Sequence, residues 1–436
     1  MSKYNLNQGN IYDKFVRRIS SIIPKSISIA AVAIAFLLVG CDSSLTEIEK
    51  PAAGESTLEA AHSGRHLGAI GNTGPYEFNA PVFDISATPD GGILVAETIF
   101  PSATIPGDGE TSETVIKKIG KRGVSTLTTV ETVKGAGING LQAHGAKNFF
   151  AASGGPDQAV GAKVYRINPG GQWVIGDIEA YEQTVDVDAN KGVQWKNVLC
   201  EEAEPFTAGP QSNPYHLTDY KNDVLVADAA GNSLLSVSPN GDIDWVAVFT
   251  PPTENGGSSI NAEDWMVLFS VPDAFTCYVQ PVPTAVAVGP DGDIYVGELT
   301  GVTPTDIGLE VGGKTTGLSR VWRIEAGARN VNCPSDQCEV AFDGLTSILD
   351  LDFGPDGWLY IVEYDKDGWF TATTGESPAG GVIKRCNPET GNCETVEGDN
   401  SFLLYPGAVT FDKWGKLWLL ESNIANPAKV RQVALD

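Results

Sequence analysis

Basic residues and histidine are scarce in this chain of 436 residues: 29 Lys and Arg stand against 55 Asp and Glu, with 4 His. The formal charge of −26 excludes a nucleic-acid partner, whose phosphates would be repelled. Long helical patterns are also missing. Gly reaches 49 residues and Trp 9, a balance that points to an all-β protein rich in turns. No Ser–His–Asp order, P-loop or nucleotide fingerprint is present. The cysteines have no Cys-x-x-Cys spacing and no adjacent His, which leaves zinc without its usual ligand pattern.

The N-terminus reads as an address. Lys14, Arg17, Arg18 and Lys25 precede an apolar run from Ile27 to Val39. That run is too short to span a bilayer and suits the h-region of a signal peptide. It ends in "LLVGC", Leu37 to Cys41, which resembles the bacterial lipobox. The resemblance implies that residues 1–40 are a lipoprotein signal peptide and that Cys41 is lipidated; an ordinary signal peptide with a chance Cys is the alternative. Residues 41–77 are polar and rich in small residues, as in a tether. The expected location is the bacterial cell envelope, lipid-anchored and extracytoplasmic. Asp42 leaves the choice between inner and outer membrane open.

Six further cysteines then face an oxidising compartment. Cys333 and Cys338 flank "PSDQ", and Cys386 and Cys393 flank "NPETGN", so each pair brackets a turn. Cys200 and Cys277 are left to pair over a long range.

Between these landmarks one unit recurs. "GPDGDIYVGELTG" and "GPDGWLYIVEYDKDGW" share a turn, an apolar strand and an acid, Glu298 or Glu363. "TPDGGILVAET" places Glu97, "YKNDVLVADAAGN" places Asp228, and "DKWGKLWLLES" places Glu421. "GAKNFFAAS" puts Ser153 in the same position. The spacing is roughly 55 to 75 residues. An apolar strand precedes each unit and two more follow most of them. Six such units predict a six-bladed β-propeller over 78–436, each blade of four antiparallel strands A to D. The sixth unit is one strand short. A closed ring needs an N-terminal strand there, expected around "RHLGAIG", because open strand edges invite association.

The stretches "NPYHLTDYKNDVLVADAAGNSLLSVSPNGDIDWVAVF", "VPTAVAVGPDGDIYVGELTG" and "LTSILDLDFGPDGWLYIVE" resemble the ScyD/ScyE family of propellers. More distantly the chain is similar to NHL-repeat and SMP-30/strictosidine synthase-like propellers. The resemblance implies the fold and no catalytic set. The metal-binding acid and Asn of SMP-30-type lactonases enter strand A, where "VPTAV", "LTSIL" and "YPGAV" carry neither.

In a propeller the B–C and D–A connections share one face. The long segments 184–212, 253–281, 302–318 and 364–380 all fall on it, which marks that face as functional. Glu97, Asp228, Glu298, Glu363 and Glu421 end their B strands there. Two readings stand for these acids. Either they accept amide hydrogen bonds that lock blade to blade, or several converge on a cation, Ca²⁺ by preference. Asn79, Asn139 and Asn213 are expected beside them. His144 and His216 are expected near the same face, with Trp265 and Trp369 in its insertions, either exposed to stack on a sugar or anchor a partner, or turned inward to plug the lid. Asn213, His216 and Trp369 are the candidate ligand contacts, for a small molecule, a glycan or a protein. Three functions follow: a tethered binding or scaffold module; a metal-dependent hydrolase or lyase acting at the central funnel; or an accessory to periplasmic secondary-metabolite synthesis.

Overall fold

The tight turns are where the repeat becomes geometry. In the segments Thr88–Gly92, Gly289–Asp293, Gly354–Trp358 and Asp412–Lys416 the first residue bonds the last, and the fourth is Gly91, Gly292, Gly357 or Gly415. Those glycines have φ between 74° and 88°, a left-handed backbone that other residues adopt only under strain. The computed structural model describes residues 73–99, 111–133, 135–154, 161–190, 210–250, 269–271, 275–277, 280–301, 316–374 and 378–435. Residues 1–72, which include the expected signal peptide, Cys41 and most of the expected tether, lie outside them.

Strand β1 (Tyr76–Phe78) comes first. Blade 1 holds β2 (Val82–Ala87), β3 (Ile93–Ile99), β4 (Thr111–Gly120) and β5 (Gly123–Val133); blade 2 holds β6 (Gly137–Ala143), β7 (Phe149–Gly154), β8 (Lys163–Asn168) and β9 (Gly171–Asp177). Two short helices follow, α1 (Ile178–Val185) and α2 (Val187–Asn190). Blade 3 holds β10 (Pro214–Tyr220), β11 (Asp223–Asp228), β12 (Ser233–Val237) and β13 (Ile243–Phe249). A separate hairpin, β14 (Phe269–Val271) and β15 (Phe275–Cys277), precedes blade 4. That blade holds β16 (Pro283–Val288), β17 (Ile294–Glu298), β18 (Ser319–Ile324) and β20 (Cys338–Leu345); β19 (Val331–Cys333) lies between the last two. Blade 5 holds β21 (Ile348–Phe353), β22 (Leu359–Glu363), β23 (Val382–Cys386) and β24 (Cys393–Glu397), with α3 (Trp369–Thr374) in its B–C insertion. Blade 6 holds β25 (Ala408–Phe411), β26 (Leu417–Glu421) and β27 (Ala428–Val433). The chain is a six-bladed β-propeller.

An N-terminal strand does close the ring, but not the expected segment. Tyr76, Glu77 and Phe78 of β1 pair with Val430, Lys429 and Ala428 of β27. Residues 65–71 lie outside the described residues. "YEF" suits the task because its alternation gives one buried aromatic face: Phe78 joins Trp418 and Val430 in the core, and the Tyr76 ring sits 6.2 Å from Trp418.

Blade 3 departs from four strands. β19 adds to its outer edge, parallel to β13, with Ala247 facing Val331 and Phe249 facing Cys333. The Cys333–Cys338 disulfide, Cα atoms 5.3 Å apart, ties this strand back to β20. It therefore covers an edge that would otherwise be open. Cys386–Cys393 joins β23 to β24 at facing positions. Cys200 lies outside the described residues, so the third pairing does too.

Candidate functional site

Five of the six A strands carry a register irregularity at their start: Val82/Ile85, Ile138/Gly140, Pro214/His216, Pro283/Ala285 and Ile348/Asp350. A bulge re-aims the residues around it. The residue after the first becomes Phe83, Tyr215 or Leu349 in blades 1, 3 and 5, and the next becomes Asp84, His216 or Asp350. In blades 2, 4 and 6 that last place is taken by Gly140, Ala285 or Ala408. Large and small residues thus alternate around the channel. Gly140 is required, since a Cβ there would come 2.8 Å from the Tyr215 carbonyl oxygen.

The three polar residues meet in the channel. His216 Nε2 lies 3.2 Å from Asp350 Oδ1 and 3.7 Å from Asp84 Oδ2. Each also receives a backbone N–H from the next blade: Leu141 to Asp84 at 2.6 Å, Val286 to His216 Nδ1 at 3.3 Å, and Val409 to Asp350 at 2.7 Å. One register step further, Ser86, Asp352 and Thr410 accept from Ala143, Phe411 and Ala87 in the same way. Blade-to-blade locking is therefore done by strand A. Because Nδ1 accepts from an amide, the neutral imidazole carries its proton on Nε2, the nitrogen that faces both carboxylates. Burial pushes the Asp84 carboxyl up to about 7; His216 opposes the shift and Asp350 adds to it. Burial likewise holds Asp350 well above the usual carboxylate range. Chemically this is a buried group of two acids and a histidine, in ion-pair range of one another although Asp350 Oδ1 accepts no hydrogen bond.

Above it, towards the face where strand A begins, the channel is filled. Phe83, Tyr215, Leu349, Tyr364, Trp369, Ala372 and Ile424 form one buried cluster, with Phe370 and Tyr405 against it. Helix α3 brings Trp369, and its placement is fixed through both its backbone amide and its ring. The Trp369 amide donates to Ser347 Oγ at 2.9 Å and its indole N–H to the Thr300 carbonyl at 3.0 Å. Asp365 holds the preceding turn by accepting from Asp367 at 2.9 Å and Gly380 at 2.8 Å. The Tyr364 and Tyr405 rings stack at 5.3 Å. Trp369, expected as an exposed ligand contact, is fully buried because it fills this plug.

The five strand-B acids are not brought together. Each is engaged by its own blade, and Glu97, Asp228 and Glu363 also by the connection leading into it. Glu97 accepts from Asn79 at 2.6 Å and pairs with Lys117 of β4. Glu298 accepts two bonds from Arg320 of β18, at 2.8 and 3.0 Å, and one from the Trp322 indole at 2.5 Å. Glu363 accepts from the Thr346 amide at 2.5 Å and pairs with Lys384 of β23 at 2.7 Å. Glu421 pairs with Arg431 of β27 at 3.2 Å. Asp228 has no cation among the described residues; it accepts from the Asn213 and Gly231 amides at 2.6 and 3.2 Å, and burial pushes it up to about 6. Asn213 is buried, its side chain accepting from Asn139 at 3.1 Å. Trp265 lies outside the described residues.

His144 belongs to the opposite face. Strand A runs from the loop-rich face to the tight turns, and His144 follows the last residue of β6; it pairs there with Asp219 at 3.0 Å. Among the described residues, two groups bring potential ligand atoms within 4.8 Å of one another: Asp84, His216 and Asp350, and Glu182, Asp186 and Asp188. Sequence reasoning named only His216 of the first. The signal for the others was the third residue of the aligned A strands, which alternates between polar and small.

No protein-family profile matches the chain, and no curated protein does. Solved structures do. A catalytically inactive virginiamycin B lyase from Staphylococcus aureus, solved with quinupristin, is 14% identical over 82% of this chain and 87% of its own, with a TM-score of 0.39. A putative oxidoreductase (glucose dehydrogenase) from Thermus thermophilus is 14% identical, covering 81% of this chain and 97% of that one, at 0.43. A putative gluconolactonase is 10% identical, covering 82% and 90%, at 0.39. Identities of this size carry no chemistry from one chain to another.

Proposed function

We propose that this protein is a membrane-tethered, extracytoplasmic binding or scaffold propeller of the ScyD/ScyE type. Lipid on Cys41 anchors it, and the loop-rich face engages a small molecule, a glycan or a protein. The observation that carries the reading is the plug of Phe83, Tyr215, Leu349, Tyr364 and Trp369 at the loop-side end of the channel. A funnel enzyme admits substrate at that end; here apolar side chains occupy it. The saturation of Glu97, Glu298, Glu363 and Glu421 by protein cations supports the same reading.

A second reading rests on the Asp84–His216–Asp350 network, whose histidine is a candidate general acid or base. A screen of lactones and esters, with and without EDTA, separates the two. The binding reading expects no turnover above buffer. Turnover that His216→Gln abolishes would replace it with the hydrolase or lyase reading. Envelope fractionation tests the anchor: Cys41→Ser should release the protein from membranes, and unchanged fractionation would contradict the tether.

A further inference from the structure

The second carboxylate group lies at the wedge between blades 2 and 3, away from the channel network. Helix α1 begins at Asp177, whose side chain accepts from the Ala180 amide, and ends at Asp186 in a left-handed conformation, φ 47°. Its apolar side, Ile178, packs with Val187 of α2 among Val164, Leu217, Val226 and Val248. That packing carries Glu182 inward, leaving it 1% exposed. Glu182, Asp186 and Asp188 bring carboxylate oxygens within 4.8 Å of one another. Asp228, at the end of β11, is close enough for its charge to act on Glu182 and Asp188.

What sets this group apart is what it lacks. Neither Glu182 oxygen has a hydrogen-bond partner among the described residues, and the same holds for Asp186 Oδ1 and Asp228 Oδ2. Asp188 accepts one bond, from Asn232 Nδ2 at 3.0 Å. Among the described residues no Lys, Arg or His pairs with any of the four; Lys163 is engaged on the outer side of α1 by Asp177 and Glu179. Four carboxylates gathered without a cation must be neutralised by protons or by a metal. Burial, followed by the neighbouring acids, pushes Glu182 up to about 9; the nearby Val187 amide makes no hydrogen bond to it. The contrast with Glu298, which burial also raises but which Arg320 meets directly, is plain.

We infer that Glu182, Asp186 and Asp188, joined by Asp228, form a site for one divalent cation, with calcium favoured by the all-oxygen donor set. No sulfur or imidazole is present, which disfavours zinc and copper. The run "DVDAN", 186–190, places Asp186 at the C-cap of α1 and Asp188 in the first turn of α2, so both carboxylates sit at the junction of the two helices. Orphaned buried oxygens on Glu182 are the independent sign that a ligand is meant to sit there. The bound ion would staple the connection between blades 2 and 3 to the inner end of β11. This inference does not depend on the binding reading above, since none of its carboxylates belongs to the Asp84–His216–Asp350 group.

Purified protein, stripped with EGTA, is titrated with calcium, magnesium and zinc by calorimetry, and its melting is followed with and without each. One calcium per chain and a raised melting temperature are expected, because a ligand of the folded state stabilises it by mass action. Magnesium should raise it less at equal concentration. Glu182→Gln should lose both the binding heat and the calcium-dependent rise, yet melt in EGTA no lower than the parent, since Gln replaces a carboxyl that is already held neutral and has no protein partner. Asp186→Asn provides the same test if Glu182→Gln fails to fold, and Glu421→Gln should retain the full calcium response. Absence of calcium binding, or a calcium response that survives in both site variants, overturns the inference.

Discussion

At the scale of single residues, the strand-B acid is a clamp within its blade, and its worth depends on burial. Glu298 is fully buried and meets a guanidinium that is itself 8% exposed. Glu298→Ala leaves that charge unpaired and should cost about 3–5 kcal/mol in denaturant unfolding. Glu421 is 17% exposed, its Arg431 partner 23% exposed and also held by Glu397. Glu421→Ala should therefore cost about 1 kcal/mol or less. Equal losses at the two positions would refute the clamp. Asp84 makes a different kind of prediction. Its folded carboxyl is raised from the usual 3.8 to about 7, so the folded state holds a proton that the unfolded chain has released. Stability from this group is then full below pH 4 and falls as pH climbs towards about 7, by at most about 4 kcal/mol. Asp84→Asn keeps an acceptor for the Leu141 amide and removes the charge facing His216 and Asp350. The stability of the variant should decline less steeply over that window; an unchanged slope would show that Asp84 is not the titrating group.

At the scale of elements, the turn, the strand and the acid were legible because each depends on local chemistry. A Gly three places into a Pro-Asp-Gly turn is demanded by a positive φ, and an unbroken apolar strand follows from burial on both faces. The two short disulfides were legible for the same reason. What was not legible needed the third dimension. β19 reads as part of a C–D connection, yet it pairs with the blade before it. Asp84 and Asp350 look like polar interruptions of buried strands until six A strands are laid side by side around an axis. Trp369 sits in a loop, where aromatics are often exposed, and only the Ser347 and Thr300 partners reveal that it points inward. The "DVDAN" acids lay unremarked within the long 184–212 connection, and Glu182, one helical turn upstream, carries no signal of its own. The closing strand is the element most open to test. Deleting residues 1–78 removes β1 and exposes the edge of β27. The truncated chain should melt markedly lower and associate in light scattering, whereas deleting residues 1–72 should do neither.

At the scale of the whole molecule, the ring is stitched at its centre by strand-A side chains and braced at its wedge between blades 2 and 3, with the loop-rich face turned outward. A rigid disc of this kind presents a surface, provided that its channel stays shut. Hydrogen exchange over residues 364–374 measures that directly, since amides exchange only when their segment opens. The account predicts that the amides of Tyr364, Trp369 and Ala372, bonded to Ser347 and Gly368, exchange nearly as slowly as the inner strand β21. Exchange of this segment within seconds, while β21 stays protected, would show a lid that opens on its own and would return the channel to the enzyme reading.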